Sequence, residues 1–233
     1  MRLQSLAGAV PAALRDGVRH ALWLTRTRAA LRRLELLRPR QPPTRAELAR
    51  LRDAWGNLGW AAEVEFLEEL AHRVVSTRGP ILECGSGATT LLLSSLAARR
   101  GVEVWVLEHE PHWAARVAQA LGPDRIGALN MSTRPLRRFG EFDWYDAPLS
   151  RMPPAFRLVV CDGPPETTRG GRYGVVPILA TRLSPDAALL LDNAGRAKQA
   201  TALRRWAQES GMHFEIRAHP SCQYAIVTRS AVH

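Results

Sequence analysis

The stretch ECGSGATT, which begins at Glu83, is a glycine-rich turn of the kind that surrounds a phosphate or a nucleotide. Gly85 and Gly87 allow backbone angles that side chains disfavour, and they let main-chain amides approach a ligand closely. Thr89 or Thr90 then opens a helix, whose first amides favour negative charge. A dinucleotide fingerprint, G-x-G-x-x-G, needs a third glycine where this chain has Thr90, so the turn disfavours an NAD ligand without excluding it.

A second acidic residue follows at the spacing expected of a ribose-binding carboxylate. Glu108 lies 25 positions after Glu83, at the end of the strand predicted within VWVLEHEPHW. A carboxylate there can accept hydrogen bonds from both hydroxyls of a ribose. A strand-ending glutamate taken alone is more often a surface residue or a helix cap, but in combination with the glycine turn it predicts a nucleoside ligand.

The stretches ECGSGATT and LEHEPHW resemble the first two motifs of the class I S-adenosylmethionine-dependent methyltransferases, and the resemblance extends over about residues 60 to 230. It implies S-adenosyl-L-methionine as the cofactor. It also implies that Glu83 lies near the methionine amino group, directly or through water, and that Glu108 binds the ribose. The predicted cofactor-binding residues are Glu83, Gly85, Ser86, Gly87, Thr89, Thr90, Glu108, His109 and Asp162.

Two further acidic segments, CDGPPE and LLLDNAGR, end predicted strands. CDGPPE matches the D-P-P-Y motif of amino-directed nucleic-acid methyltransferases only loosely, so methylation of a base is disfavoured. The similarity to catechol O-methyltransferase-like enzymes is more informative, because those enzymes bind a divalent cation through an aspartate and an Asp-Asn pair. Asp162, Asp192 and Asn193 stand at the corresponding places and imply a Mg²⁺ site that would acidify a substrate hydroxyl.

The alternative to a metal stays open. Asp162 can orient substrate or cofactor without an ion, and Asp192 with Asn193 can cap the helix that follows. The lysine associated with the metal-dependent type has no counterpart near Asp162. Asp162 and His109 are the predicted catalytic residues, although a histidine beside a motif is usually a hydrogen-bonding spectator.

The segment TTRGGRYG, which begins at Thr167, is predicted to be the substrate loop, with a solvated surface loop as the alternative. Arg169, Arg172 and Tyr173 offer donors suited to a carboxylate, a phosphate or a polyhydroxyl compound. Together with CDGPP, this segment resembles a bacterial subgroup of the same enzymes, for which the resemblance implies no particular substrate. The residues before the first strand form a lid in related enzymes, so Trp55, Asn57 and Trp60 are further predicted substrate residues; for the tryptophans, core packing is the alternative.

The elements that must position these residues follow from short apolar runs that alternate with helical patterns after Pro80. Such alternation predicts right-handed crossovers and an α/β fold: a doubly wound (Rossmann-like), mostly parallel seven-stranded sheet with helices on both faces. Ligands bind at the carboxyl ends of its strands. The predicted strands are 81–83, 104–108, 126–129, 158–162, 188–192, 214–216 and 224–228, and the predicted helices between them are 89–99, 111–121, 174–183 and 197–210.

An N-terminal helical extension precedes this core. Apolar residues recur at three- and four-residue steps over 12–38, RPRQPP stops that helix, and Thr44 with Glu47 forms a capping box for the next one. Another helix is predicted from Trp60 to Val75. The predicted domains are a basic amphipathic arm, 1–43, and a methyltransferase domain, 44–233, made of a helical lid, 44–78, and an α/β core, 79–233.

Charge is concentrated in the N-terminal part of the chain. Of the net charge of +10, the first 52 residues carry 12 arginines against three acidic residues. The arm can therefore contact an anionic membrane or an acidic partner, or it is simply a solvated helical face. Nucleic acid is disfavoured as a partner, and homo-oligomerisation stays open. Three scattered cysteines favour reduced thiols and a cytoplasmic protein, and LAGAVPAAL is too short and too interrupted to predict a signal peptide.

The function predicted from these residues is methyl transfer from S-adenosylmethionine to a small-molecule or sugar-like acceptor, at oxygen. Such a reaction is an in-line displacement that depends mainly on alignment and on the exclusion of water, so the sequence identifies the cofactor better than the acceptor. Two alternatives remain: a non-catalytic adenosyl-ligand-binding or scaffold protein that docks through its arm, and an NAD(P)-binding oxidoreductase.

Overall fold

The computed structural model describes residues 12–229 as helices and strands in alternation. The helices are α1 (Ala12–Glu35), α2 (Arg45–Trp55), α3 (Val64–Ser76), α4 (Ala88–Ala98), α5 (Pro111–Leu121), α6 (Pro123–Gly127), α7 (Val175–Leu179) and α8 (Ala197–Ser210). The strands are β1 (Ile81–Cys84), β2 (Val104–Glu108), β3 (Asn130–Thr133), β4 (Leu136–Phe139), β5 (Phe142–Tyr145), β6 (Phe156–Cys161), β7 (Leu183–Leu191), β8 (Met212–Ala218) and β9 (Gln223–Arg229).

Seven strands form one mostly parallel sheet, in the order β3-β2-β1-β6-β7-β9-β8. The pairs among β3, β2, β1, β6 and β7 are parallel, and β9 pairs antiparallel with both β7 and β8. The predicted fold class is confirmed. In this register Cys84 pairs with Leu107 on one side and with Cys161 on the other, and Cys161 pairs with Leu191. The carboxyl ends of four parallel strands therefore lie at one edge.

The central strands are apolar because helices cover both faces of the sheet. Every residue of β1 is buried, including Glu83. Ile81 belongs to the core cluster on one face, while Leu82 and Cys84 belong to the cluster on the other. Continuous apolar runs are typical of parallel strands that are covered on both sides. Cys84 and Cys161 are fully buried at the end of the strands, where small apolar groups fit.

The N-terminal helices share the first of these cores. The second half of α1 buries Leu31 and Leu34 against α2 and α4, so it is packed on the α/β core. The predicted capping box at the start of α2 is confirmed: the Thr44 amide donates to Glu47 Oε2 at 2.7 Å, and the Glu47 amide donates to Thr44 Oγ1 at 3.4 Å. The domain boundary at residue 43 stays a prediction. The first 11 residues, with most of LAGAVPAAL, lie outside the described part of the chain.

Several predicted elements have other bounds in the structure; the strand predicted at 188–192, for example, is β7 and spans Leu183–Leu191. The strand predicted at 126–129 is β3, which begins only at Asn130, because Pro123 starts α6 at its first helical position and the pairing with β2 begins after it. The helix predicted at 174–183 ends at Leu179 and a short 3₁₀ turn follows, since β7 already begins at Leu183, opposite Phe156. The helix predicted from Trp60 begins at Val64, because the chain turns before it.

The hairpin of β4 and β5 was not predicted. Its two-residue loop begins with Gly140, whose φ of 61° suits the first position of such a loop. Leu136 pairs with Tyr145, so the hairpin delivers Tyr145 toward the strand ends. Within residues 12–229, no helix has the length and apolar character that a membrane span requires.

Candidate functional site

A cavity of about 490 Å³ opens at the carboxyl ends of β1, β2, β6 and β7. Its wall combines the turn after β1, the turn after β2 and the residues that end β6 and β7. The turn before α3 forms another part of the wall through Trp60 and its neighbours. The sequence-predicted residues on its wall are Trp55, Trp60, Gly85, Ser86, Gly87, Glu108, His109, Asp162, Arg172, Asp192 and Asn193.

Gly85 is required by the close approach of two turns. Its φ is +93°, and a Cβ added there would lie 2.7 Å from the Gly163 amide nitrogen. A Cβ on Gly163 would in turn lie 2.6 Å from the Tyr145 hydroxyl and 2.8 Å from Gly85 Cα. The Gly163 amide donates to Cys84 O at 2.6 Å, which holds the turns after β1 and β6 together. Side chains at either glycine would separate the two strand ends.

Gly87 differs, because the rest of the chain does not require a glycine there. Its φ of 167° is extended, and an added Cβ would meet nothing closer than Trp55 Nε1 at 3.9 Å. The Gly87 amide donates to Thr90 Oγ1 at 2.9 Å, so Thr90 caps α4. The side of Gly87 that lacks a side chain lies on the cavity wall, where a ligand can approach the backbone closely.

Glu83 lies beneath this turn rather than on the cavity wall. It is fully buried, and neither of its carboxyl oxygens has a hydrogen-bond partner within residues 12–229. Burial raises its pKa to about 8, which the hydroxyls of Thr89 and Thr90 oppose only in part and the charge of Glu108 reinforces. The buried Thr89 hydroxyl faces this carboxyl without a hydrogen bond of normal geometry among the described residues. Buried oxygens without a partner are rare in proteins, and the neutral carboxyl is the less costly form to bury.

Glu108 is held rigidly at the end of β2. Its Oε1 accepts from the amides of His109 at 2.7 Å and Glu110 at 2.9 Å, and its Oε2 accepts from Ser86 Oγ at 2.7 Å. Burial alone raises its pKa, but the hydrogen bonds from His109, Glu110 and Ser86 outweigh burial and lower it. Glu108 is therefore an ionised acceptor on the cavity wall. His109 Nδ1 lies 3.0 Å from Glu108 Oε1, so that imidazole contacts the carboxylate rather than standing free.

Arg172 ties the ends of β6 and β7 together. Its guanidinium is buried and donates to the carbonyl oxygens of Cys161 at 3.2 Å and Asp192 at 2.6 Å, and also to that of Asp162. Its Nη2 lies 3.2 Å from Asp162 Oδ1. Arg172 was predicted to bind substrate, but most of its donors are used by main-chain carbonyls. It therefore positions the acidic strand ends and neutralises part of their charge.

The carboxyl of Asp162 lies close to that of Asp192 and also contacts the Arg172 guanidinium. The pKa of Asp162 is raised well above its usual value by burial and by the charge of Asp192, against the lowering effect of Arg172. Asp162 can hold a proton at a pH where an ordinary aspartate has lost it.

The predicted Mg²⁺ ligands do not form a metal centre. Asp162 pairs with Arg172, and Asp192 Oδ2 accepts a hydrogen bond from Asn193 Nδ2. No group of three or more His, Cys, Asp and Glu side chains in the described part of the chain has the arrangement of a metal site. Because Asp162 is paired with the Arg172 guanidinium and Asp192 with the Asn193 amide, the three residues do not offer free oxygen ligands to a divalent cation.

Sequence reasoning missed Tyr145, the most informative addition to the site. Its hydroxyl is buried, lies on the cavity wall next to Gly163, and has no hydrogen-bond partner in residues 12–229. Burial raises the pKa of this phenol well above its usual value, so it stays a donor at physiological pH. Its ring contacts His109 edge to face, with centroids 6.0 Å apart. The feature of the sequence that could have indicated this residue is the aromatic pair Trp144 and Tyr145, which follows the turn at Gly140.

Aromatic side chains form the wall on the helical side. Trp55 is almost fully buried, while Trp60 is 69% exposed at the cavity mouth. The Arg116 guanidinium lies 4.7 Å from the Trp55 ring and 4.3 Å from the Trp23 ring, so it is held between them. The Trp23 indole donates to Trp55 O at 2.9 Å, which links α1 to the cavity wall. Asn57 is exposed and does not line the cavity.

The rest of the predicted substrate loop lies elsewhere. Arg169 is exposed and is not on the cavity wall. Tyr173 is buried against Phe142, its hydroxyl donates to Glu209, and its carbonyl accepts from the Trp206 indole at 2.8 Å. The loop therefore packs between β5 and α8. Residues on the opposite wall that the sequence did not reveal are Glu63, Arg196, Ser221 and Cys222.

Comparison with known proteins finds likeness in fold. No protein-family model and no curated protein sequence matches the chain. The SAH-bound Podospora anserina methyltransferase PaMTH1 aligns with a TM-score of 0.57 at 14% identity, over 98% of this chain and 100% of that chain. The precorrin-6y C5,15-methyltransferase from Geobacter metallireducens GS-15 aligns with a TM-score of 0.50 at 13% identity, over 73% of this chain and 94% of that chain.

A third structure is the T. thermophilus 16S rRNA methyltransferase RsmC in complex with AdoMet and guanosine, with a TM-score of 0.50 at 19% identity, over 71% of this chain and 41% of that chain. The names of the second and third proteins give different acceptors, precorrin-6y and 16S rRNA, and the likeness to all three is one of architecture. The chain has a Rossmann-like methyltransferase fold.

Proposed function

We propose that this chain is an S-adenosylmethionine-dependent methyltransferase that acts on a small-molecule or sugar-like acceptor at oxygen. One observation carries the proposal: the side of Gly87 that lacks a side chain and the ionised carboxylate of Glu108 lie on the wall of one cavity. The two together match an adenosyl ligand, whose ribose needs an acceptor and whose chain needs close backbone approach. The methyltransferase fold supports the same conclusion.

Glu108 has the right state to bind ribose hydroxyls. A carboxylate has about four acceptor positions, and Glu108 Oε2 accepts only from Ser86. Its lowered pKa keeps it ionised, which strengthens hydrogen bonds from hydroxyl donors. Glu83, beneath the turn, would then interact with the methionine ammonium, directly or through water. The approach of that cation would favour the ionised form of Glu83 and lower its pKa.

The acidic residues at the ends of β6 and β7 would contact the acceptor and take up its proton. When bound, S-adenosylmethionine supplies a methyl group that is activated by the positive sulfonium. In its ionised form, Asp162 accepts the proton that an acceptor hydroxyl loses, and its raised pKa makes this carboxylate a stronger base than that of an ordinary aspartate. The Tyr145 hydroxyl, which has no partner in the described chain, donates a hydrogen bond that orients the acceptor. His109 contacts Glu108 and would support ribose binding rather than act as the base.

No step is assigned to Mg²⁺, because Asp162 is paired with Arg172 and Asp192 with Asn193. The alternative of an NAD(P)-binding oxidoreductase is disfavoured by Thr90, whose side chain caps the turn where a third glycine would lie. The similarity of CDGPP and GGRYG to a bacterial methyltransferase subgroup stays a prediction.

Calorimetric titration separates these possibilities. We expect S-adenosylmethionine and S-adenosylhomocysteine to bind with similar affinity and NAD(H) not to bind. Incubation with radiolabelled S-adenosylmethionine and fractionated cell extract should then place the label in small molecules or glycans. Absence of binding by both adenosyl compounds would overturn the proposal, and label found only in nucleic acid or protein would overturn the acceptor class.

A further inference from the structure

The first part of α1 carries a row of exposed apolar side chains. Leu14, Val18 and Leu22 are 58%, 52% and 52% exposed. They are spaced four residues apart, so they lie along one face of the helix. Residues 12–20 are all exposed, and about 13 Å of helix therefore extends beyond the packed part of the protein.

Folding of the described chain does not use this face. Leu31 is fully buried in the core and lies nine residues after Leu22, which is about two and a half helical turns. The two leucines therefore point in opposite directions. The buried residues of α1 are Thr27, Ala30, Leu31 and Leu34. Leu14, Val18 and Leu22 form an exposed row. This exposed row lies opposite the core-facing side of α1.

Positive charge lies along one edge of the row. Arg15, Arg26 and Arg33 are spaced 11 and seven residues apart, which aligns them on one line of the helix. Each side chain is exposed and makes no ion pair or hydrogen bond with the other described residues. Residues 12–38 contain seven arginines and only two acidic residues. A partner of this surface must therefore be apolar in its middle and anionic beside it.

We propose that the exposed row and its arginine edge bind the surface of an anionic lipid bilayer, with α1 lying in the plane of the headgroups. Aliphatic side chains then enter the boundary of the acyl region, and the guanidinium groups pair with lipid phosphates. A second copy of the chain fits less well, because it would bring two arginine edges together in a protein whose net charge is +10. Nucleic acid fits less well because single strands stack on aromatic side chains, and this row is aliphatic.

The inference does not depend on methyl transfer. It has a structural consequence for the cavity, because α1 contacts the cavity wall through Trp23 and Trp55. A bilayer-bound α1 would hold the cavity at a fixed distance from the membrane.

Flotation with lipid vesicles tests the proposal on the full chain. We expect the protein to float with vesicles of phosphatidylcholine mixed with phosphatidylglycerol, and to float much less with phosphatidylcholine alone. Binding should weaken as salt is added, since the ionic part is screened. Equal binding to both vesicles, or no binding to either, would overturn the proposal.

Two variants separate the apolar and ionic parts. Replacing Leu14, Val18 and Leu22 by Ser, or Arg15, Arg26 and Arg33 by Gln, should each lower the partition coefficient at least about tenfold. Exposed arginines of other elements give the matched control, and their replacement by Gln should leave binding unchanged: Arg50, Arg151 and Arg204. Circular dichroism checks that each variant is folded.

Three results would contradict the assignment. One is loss of binding in the control arginine variant to the same extent, which would indicate a response to net charge only. Another is unchanged binding after replacement of the leucines and valine. The third is a wild-type dimer that does not bind vesicles and becomes a monomer, by light scattering, in the serine variant, because the row would then be a self-association surface.

Discussion

Two glycine-rich segments of the molecule, 85–87 and 170–174, use glycine for different reasons. In the first segment, the space beside Gly87 belongs to the cavity, and an added Cβ would meet nothing closer than Trp55 Nε1 at 3.9 Å. In the second segment, the space is filled by the protein itself. The same residue type therefore indicates a ligand in one place and dense packing in the other.

The packing of the second segment is specific. A Cβ on Gly170 would lie 2.6 Å from Phe142 Cβ, and a Cβ on Gly174 would lie 2.8 Å from the Trp144 ring. The sequence predicts a substrate loop here, and the dense packing of its glycines differs from that expectation. A glycine is therefore informative about function when the space its missing side chain would occupy opens on a cavity.

The largest expected effect is on folding. Gly85→Ala combines a positive φ with a backbone clash, so we expect it to lower the free energy of unfolding by about 3 kcal/mol or more. Gly174→Ala meets side chains that can shift, and we expect about 1–3 kcal/mol. Urea denaturation measures both. A cost at Gly85 below that at Gly174 would contradict the close approach of the turns after β1 and β6.

The next effect is on the pH dependence of stability. The pKa of Glu83 rises from 4.5 to about 8 on folding, so the neutral carboxyl contributes stability that is complete below the unfolded pKa. That contribution is lost as the pH rises through the folded pKa, by up to a few kcal/mol. Glu83→Gln should remove this dependence between about pH 4.5 and pH 8, measured by urea denaturation. Glu110→Gln, in the exposed part of the next turn, is the control, and equal pH profiles for wild type and Glu83→Gln would contradict the account.

A smaller effect is expected at Tyr145. Tyr145→Phe removes a buried hydroxyl that has no partner in the described chain, so stability should not fall. If the hydroxyl orients the acceptor, the rate of methyl transfer should fall about tenfold, the equivalent of one hydrogen bond. Steady-state kinetics and thermal melting measure the two quantities. A destabilised variant with an unchanged rate would show that the hydroxyl has a purely structural partner.

The smallest effect is expected in the second glycine segment. Arg169 is exposed and away from the cavity, so Arg169→Ala should change neither ligand affinity nor stability beyond about 0.5 kcal/mol. Calorimetry and urea denaturation measure these. A marked loss of activity would restore the loop as a substrate element and would reduce the contrast between the two segments.

Much of the α/β core could be predicted, because the sequence patterns that determine its strands and helices are local. The apolar runs located the central strands, and acidic residues directly after them had to meet at one sheet edge, as Glu108, Asp162 and Asp192 do. The hairpin that carries Tyr145 was missed, since two short strands around a glycine leave little periodicity. The sequence assigned Arg172 to substrate binding. Its burial among main-chain carbonyl groups depends on tertiary packing, which no short sequence pattern reveals.

We expect an adenosyl ligand to bind in the cavity against the side of Gly87 that lacks a side chain. A calorimetric comparison of three proteins tests this. S-adenosylhomocysteine is titrated into the wild type, into Gly87→Ala, and into Gly127→Ala as the control, because Gly127 lies in α6 away from the cavity and has room for a Cβ. We expect at least about tenfold weaker binding for Gly87→Ala, with a loss of stability below about 1 kcal/mol, and wild-type affinity for Gly127→Ala. Wild-type affinity in Gly87→Ala, or no binding by the wild type, would contradict it.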